Sequence, residues 1–566
     1  MEKSIKEFIN EDDIMDFHFI YDINFEKYAQ NFDYVYFGKR LLGNHITGYV
    51  KEKDFDRMMR DFGLNRQYPF PSIMGLLARQ SFDASGITQI KNQGYLGLDG
   101  SGVLMAFVDT GIDYTNDIFR HEDETTRIKY IWDQTIEGND PDGYYFGSEY
   151  NEEMINQALA SEDPYQIVPH VDSKGHGTFL ASNACGKEII DFSGVAPNTN
   201  IVVVKLRRAR KYYLDRYVIP DTVEEAYEST DVMLGINYIF EKATELNMPV
   251  SICIGLGTSN GSHDGVSPLE EYINKLSLNN GICICTSAGK EGQSSRHTNG
   301  IINRQDKEKQ IEITVGQNVR GFTINIWNTI SDVFSIGLRS PTGEKVGGTL
   351  TKSGIMTTEE LLFERTEVSI QYFYPVEQSG NQLSFVRIVN PTPGIWTLIL
   401  ESENILNGSY HMWLPIVSLC PDDVRFLAPK PEYTVVIPST SLGGIACGAY
   451  NSINNSLYAN SSWGPTRVGY TSPELVAPGV TMLGMYPDGI GTSSGTSIAA
   501  AVTAGACALI LQWAIVNRND ISISTYRIKA YLIRGCNRKE GLEYPNNQWG
   551  FGTLDLWQTF NLLRNK

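Results

Sequence analysis

A run of small and apolar residues near the carboxyl end constrains this chain more than any other feature. Ile498-Ala499-Ala500-Ala501-Val502-Thr503-Ala504-Gly505 continues through Ala508-Leu509-Ile510-Leu511 and follows directly on Gly495-Thr496-Ser497. A helix this apolar on every side belongs in a core. Its start carries the Ser497 hydroxyl, where unpaired N–H groups and the positive end of the helix dipole suit developing negative charge. That is the geometry of a nucleophile. Two further segments complete a constellation: Val108-Asp109-Thr110-Gly111-Ile112-Asp113 after an apolar strand, and Gly175-His176-Gly177-Thr178 before Phe179-Leu180-Ala181. In this arrangement Asp109 orients an imidazole, His176 takes the hydroxyl proton and returns it to a leaving amine, and Ser497 attacks a carbonyl. An Asp-Thr-Gly or a histidine in a glycine-rich loop says little alone; the three in this order carry the argument.

With these flanks the chain resembles the subtilisin-like serine proteases (subtilases, family S8). The resemblance extends to Gly86-Ile87-Thr88-Gln89-Ile90-Lys91, similar to the start of a mature subtilase, and to Gly194-Val195-Ala196-Pro197 before Val203-Val204-Lys205. It includes Ser461-Ser462-Trp463-Gly464-Pro465, Ala477-Pro478-Gly479-Val480 and the closing Trp549-Gly550-Phe551-Gly552, so that residues 86–300 and 436–556 are covered. It implies that Gly255, Leu256 and Gly257 form the edge strand that pairs with substrate backbone, where glycine permits close approach. It also implies that Glu291 borders the primary specificity pocket. Gly491-Thr492-Ser493 repeats the nucleophile tripeptide, but only Ser497 precedes the helix, and Ala501 stands where the family usually has proline. The larger departure is Lys290, in the loop Cys285-Thr286-Ser287-Ala288-Gly289-Lys290-Glu291-Gly292, at the place of the asparagine that donates to the oxyanion. Loss of such a donor costs roughly 2.7 to 4 kcal/mol, a magnitude established on subtilisin itself rather than on this chain. The Lys290 ammonium could replace the amide, while opposing the charge that His176 acquires, or point to solvent and leave the Ser497 N–H to act alone.

Composition sets outer limits. The net charge of −19 argues against nucleic-acid partners, since the one basic cluster is Arg207-Arg208-Ala209-Arg210-Lys211. Met1 to Asp13 contain no apolar signal core, which predicts cytoplasmic synthesis, with association to the spore implied by the resemblance below. The stretch from Ile498 to Val516 approaches membrane-spanning length, yet Thr503, Gly505 and Gln512 and its place behind the nucleophile read as a core helix, so no membrane partner is expected. The eight cysteines, at 185, 253, 283, 285, 420, 447, 507 and 536, lie mostly in apolar segments and read as reduced core residues. No cofactor and no metal are expected: there is no Cys-x-x-Cys pair, and Ile118 aligns with the family's calcium-binding aspartate, with Asp117 beside it.

The fold class expected is α/β: a doubly wound, mostly parallel sheet with an amino-terminal α+β propeptide and an inserted β-sandwich of jelly-roll type. Residues 1–80 alternate apolar runs, Phe17 to Tyr21 and Tyr34 to Phe37, with a helix around Asp54 to Phe62, and read as the propeptide; alignment from Gly86 puts self-cleavage near Arg79-Gln80. Residues 81–302 and 435–566 form the two parts of the catalytic domain, with near-continuous apolar strands at 103–108, 201–204, 250–254 and 282–285. Val232, Ile236, Ile239, Phe240 and Ala243 mark one core-facing helical stripe. Between 303 and 434, β-like runs at 310–315, 322–327, 385–389 and 395–400 alternate with turns such as Ser340-Pro341-Thr342-Gly343. Such an insert, a retained propeptide and the absent signal resemble the Csp germination proteases of clostridial spores. That likeness implies a protein substrate, the precursor of a cortex-degrading hydrolase, and the chain's own propeptide in the cleft. Some members of that group are signalling pseudoproteases; a catalytically weak or inactive scaffold is therefore the alternative, although Asp109, His176 and Ser497 are intact.

Overall fold

The computed structural model describes residues 8–9, 11, 13–20, 32–43, 45–62, 70–76, 85–91, 93–94, 96–189 and 192–564. The expected cut at Arg79-Gln80, and Tyr21, lie outside them. A nine-stranded sheet forms the centre. Its strands run Ser456–Leu457, Ile445–Asn451, Ile282–Ser287, Val250–Ile254, Leu104–Asp109, Asn200–Lys205, Ile128–Asp133 and Ser148–Asn151, and Leu475–Pro478 also pairs with Ile445–Asn451. The interior pairings are parallel, and the antiparallel ones lie at Ser456–Leu457 and Ser148–Asn151.

Strand alternation explains why those runs are apolar throughout. Met105 and Phe107, with Ile201 and Val203, enter the core on the face that carries helices His176–Cys185 and Thr496–Leu511. Leu104, Ala106 and Val108, with Val202 and Val204, enter the core on the opposite face, where helix Ser229–Glu245 brings Val232, Ile236, Ile239 and Ala243, and Phe240 packs at the margin. Every residue of helix Thr496–Leu511 is buried, and the helical stretch Thr496–Val516 that it begins is long and apolar enough to cross a membrane by length and composition only.

Two antiparallel sheets stand beside this centre. One has six strands, ordered His297–Ile301, Ser409–Trp413, Gly321–Asn328, Asn381–Val389, Thr366–Val376 and Met356–Leu361; the other has five, from Lys345–Gly347 through Val333–Arg339, Gly394–Asn404 and Glu308–Val315 to Arg425–Phe426. They enclose a single apolar core containing Ile313, Ile324, Phe334, Val386, Trp396 and Leu398. Strand His297–Ile301 falls before the expected boundary at 303, yet its full length pairs with Ser409–Trp413. At the amino end, strands Ile14–Ile20, His45–Lys51 and Val35–Leu41 form a third antiparallel sheet, with helix Phe55–Asp61 against it. One cluster joins all three regions: Met15, Phe17 and Met58 meet Tyr213 and Tyr217 of the centre and Trp327, Phe385 and Trp413 of the inserted sheets.

The helices that carry His176 and Ser497 cross at Gly505, where a Cβ would lie 2.6 Å from Val195 Cβ and 2.9 Å from the Ala184 carbonyl oxygen. Overpacking of that crossing costs about 1–3 kcal/mol per intruding group. Gly505→Leu is therefore expected to lower the unfolding free energy by at least that amount and the urea midpoint with it; an unchanged midpoint would contradict the close crossing.

Candidate functional site

Strand Leu104–Asp109 ends with its last side chain at the carboxyl edge of the parallel sheet, where ligands of open α/β sheets gather. Asp109 Oδ1 receives the Thr110 N–H at 2.8 Å and stands 2.6 Å from His176 Nδ1. The chain then turns through Gly111 at φ +117°. Helix His176–Cys185 lies so close to this turn that a Cβ on Gly177 would come within 2.1 Å of the Gly111 carbonyl oxygen. Thr110 Oγ1 accepts the Gly177 N–H at 2.9 Å, and Thr178 Oγ1 accepts the Asp113 N–H at 2.8 Å. Asp172 fastens the helix start by accepting from Gly175 N and from both the N–H and hydroxyl of Thr178.

His176 Nε2 faces Ser497 Oγ at 3.3 Å. Asp109 and Ser497 are fully buried and His176 is 7 % exposed, so the three polar groups sit in a low-dielectric pocket where each hydrogen bond is strengthened. Ser493 is elsewhere: it ends strand Gly489–Ser493, and its Oγ is engaged by the Tyr486 hydroxyl.

Gly255 has a more specific role than room for a substrate strand. A Cβ there would meet Leu180 Cδ1 at 2.6 Å, Asp109 Oδ2 at 3.0 Å and His176 Cε1 at 3.1 Å, so the glycine makes room for the carboxylate and imidazole. Leu256 and Gly257 do form an edge strand, antiparallel to Ile73–Leu76 with Leu256 opposite Leu76 and Gly257 opposite Gly75. Ile73–Leu76 pairs on its other side with Tyr227–Glu228, so it lies as the middle strand of three and Leu256–Gly257 stays at the edge.

Lys290 is half-buried, and its loop is fixed on both sides. Gly289 N donates to Thr496 Oγ1 at 3.1 Å, Gly289 O accepts from Ser462 N, and Glu291 N donates to Ser462 Oγ at 2.9 Å. Residue 290 therefore stands beside the start of the Ser497 helix. Glu291 is 2 % exposed, and its Oε1 accepts the Val417 N–H where the chain returns from the inserted sheets.

Three thiols, of Cys283, Cys285 and Cys507, come within 4.8 Å of one another behind this site, a convergence the cysteine spacing does not reveal. Two sit on one strand and the third on a helix more than two hundred residues later. Burial pushes the Cys285 and Cys507 thiols far above their ordinary range, whereas at Cys283 burial is outweighed by hydrogen bonds from those two sulfurs, which bring its thiol down to about 5. Asp117, beside the aligned calcium position, lies 3.4 Å from Arg120. Sequence reading also missed Thr110 and Asp172, although Asp172, four residues before His176, is a readable capping signal.

The sequence pattern of the Subtilase family matches residues 100–335 and 425–552, and the unmatched span between them falls inside the antiparallel sheets. Among solved structures, the CspB protease of Clostridium perfringens is 33 % identical, with 85 % of this chain and 98 % of that chain covered at a TM-score of 0.75. The epidermin leader peptide processing serine protease EpiP of Staphylococcus aureus is 13 % identical, with 98 % and 99 % covered at a TM-score of 0.45. No curated protein matches the sequence.

Burial raises the Glu291 carboxyl above its ordinary value near 4.5, against the pull of Arg296. The folded state then binds this proton more tightly than the unfolded chain, so the stability it contributes is present below 4.5 and is lost as pH rises through the raised value. Glu291→Gln is expected to become progressively more stable relative to the unsubstituted protein as urea unfolding is repeated at rising pH. A pH-independent difference would contradict the burial argument.

Proposed function

From the premise that the chain belongs to the subtilase family of serine proteases, we propose that it is an endopeptidase using Asp109, His176 and Ser497 as its catalytic triad. The observation that carries this reading is the unbroken buried relay of 2.6 Å and 3.3 Å across three distant segments. Asp109 holds Nδ1 protonated, which leaves Nε2 free to accept the Ser497 proton as Oγ attacks the scissile carbonyl. The imidazolium so formed is stabilised by the buried carboxylate and then protonates the leaving amine. Water, deprotonated by the same Nε2, releases the acyl group and returns the proton to Ser497. The Ser497 N–H at the helix start and the Lys290 ammonium are the donors assigned to the oxyanion, and Leu256–Gly257 to substrate backbone.

We assign the amino-terminal region as a propeptide that is cut once and stays in the cleft. Supporting this, Ile73–Leu76 adds as a strand to Leu256–Gly257, the mode by which an extended peptide binds a sheet edge. A buried charged cluster supports retention: Arg210 Nε donates to Asp16 Oδ1 at 3.0 Å and Thr230 Oγ1 donates to Asp16 Oδ2 at 2.5 Å. The substrate we propose is the precursor of a cortex-degrading hydrolase acting in spore germination, following cytoplasmic synthesis and association with the spore; the kinship to a CspB protease supports it.

A small fluorophosphonate is expected to label Ser497 and leave Ser493 unmodified, as read by peptide mass spectrometry; no labelling of the unsubstituted chain would overturn the enzymatic reading. Lys290 in place of asparagine favours weak turnover as the second reading. Lys290→Asn separates the two: a drop in peptide hydrolysis of about a hundredfold marks the ammonium as an oxyanion donor, and a large gain marks it as a restraint.

A further inference from the structure

A second aspartate–histidine pair lies directly behind the first. His170 Nδ1 stands 2.6 Å from Asp133 Oδ2, the same separation as in the Asp109–His176 pair, and both side chains are fully buried. The other ring nitrogen, Nε2, receives the Ile112 N–H at 3.2 Å. A backbone N–H can only donate, so Nε2 must carry a lone pair and the proton must sit on Nδ1, directed at Asp133. The tautomer is therefore fixed by its partners. The ring also fills the space beside the turn: a Cβ on Gly111 would come 2.9 Å from His170 Cε1. Gly111 is thus held between His170 on one side and Gly177 of the His176 helix on the other.

We propose that His170 is a positioning residue for Asp109: clamped by Asp133 with Nε2 bare, it holds the Ile112 N–H and so fixes the turn leaving Asp109, and a proton gained at Nε2 releases that turn. The inference rests on the triad reading above. The turn Thr110 to Asp113 has three outside anchors, Gly177 N on Thr110 Oγ1, His170 Nε2 on Ile112 N, and Thr178 Oγ1 on Asp113 N. His170 is the one of these whose acceptor disappears on protonation, since N–H would then face N–H. The charged and titratable groups around it are few. Asp133 ends the adjoining strand, with Lys205 Nζ 3.5 Å from its Oδ2 and donating to the Val171 carbonyl. Tyr114 lies with its ring centre 6.5 Å from the imidazole and its hydroxyl on the Val168 carbonyl. Asp172 is committed to Gly175 and Thr178, and Asp113 Oδ1 to Thr115.

The test is the pH dependence of fluorophosphonate labelling of Ser497 in the full chain. With His176 alone titrating, the rate falls by about tenfold per pH unit on the acid limb; a second required deprotonation steepens the fall toward about a hundredfold. The unsubstituted chain is expected to show the steeper limb. His170→Gln, whose amide reaches the Nε2 position but takes up no proton, is expected to return the limb to the single-proton slope. His170→Asn, which keeps a donor toward Asp133 but withdraws the acceptor from Ile112, is expected to label about tenfold or more slowly at pH 8. A purely structural role would lower rates without altering the slope. A single-proton limb in the unsubstituted chain, or a slope unchanged in His170→Gln, overturns the proposal even if His170→Asn fails to fold, while absence of labelling at every pH overturns the triad reading on which it stands.

Discussion

The structure depends on one hydrogen bond made out of water, between the Asp109 carboxylate and His176 Nδ1 at 2.6 Å. A buried carboxylate is costly unless its charge is met by donors, and here the Thr110 N–H and the imidazole both meet Oδ1, while Oδ2 is buried with no hydrogen-bond partner among the described residues. Several otherwise odd features follow from keeping that contact dry and close. Gly255 lacks the Cβ that would displace both partners, Gly177 lacks the one that would displace the turn, and Gly505 lets the two helices cross. The all-apolar helix behind Ser497 closes the site from below.

The additional sheets make sense as support for the cleft. The amino-terminal sheet and the inserted sheets share one apolar cluster with the centre, and the strand Ile73–Leu76 reaches from that junction into the edge beside His176. Glu291 couples the loop of residues 285–292 to the insert through the Val417 N–H, so residue 290 is flanked by contacts to the Ser497 helix on one side and to the inserted sheets on the other. Access to the site and its shape therefore involve all three regions.

The sequence was most legible where the chemistry is local. Asp109, His176 and Ser497 each sit at the end of a strand or the start of a helix, with glycines that mark the turn, so short motifs expose them. The parallel sheet was legible because strands buried on both faces must be apolar throughout, as Leu104–Asp109 is. What escaped depends on convergence between distant segments. Nothing near His170 points to Asp133, 37 positions earlier, and Cys507 joins Cys283 and Cys285 only because a helix packs on that strand. The hydrogen bond of Glu291 was hidden because its neighbours in sequence belong to the loop, whereas its partner Val417 arrives from the far end of the insert. His297–Ile301 was placed on the wrong side of a boundary for the same reason, since its pairing partner begins at Ser409.

The most direct measurement of the central claim is the intact mass of the purified full-length chain beside that of Ser497→Ala. The account predicts two tightly associated fragments for the unsubstituted chain, parted between Leu76 and Gly86, and one unbroken chain for the variant. A single unbroken mass for both, or the same break in both, would contradict it.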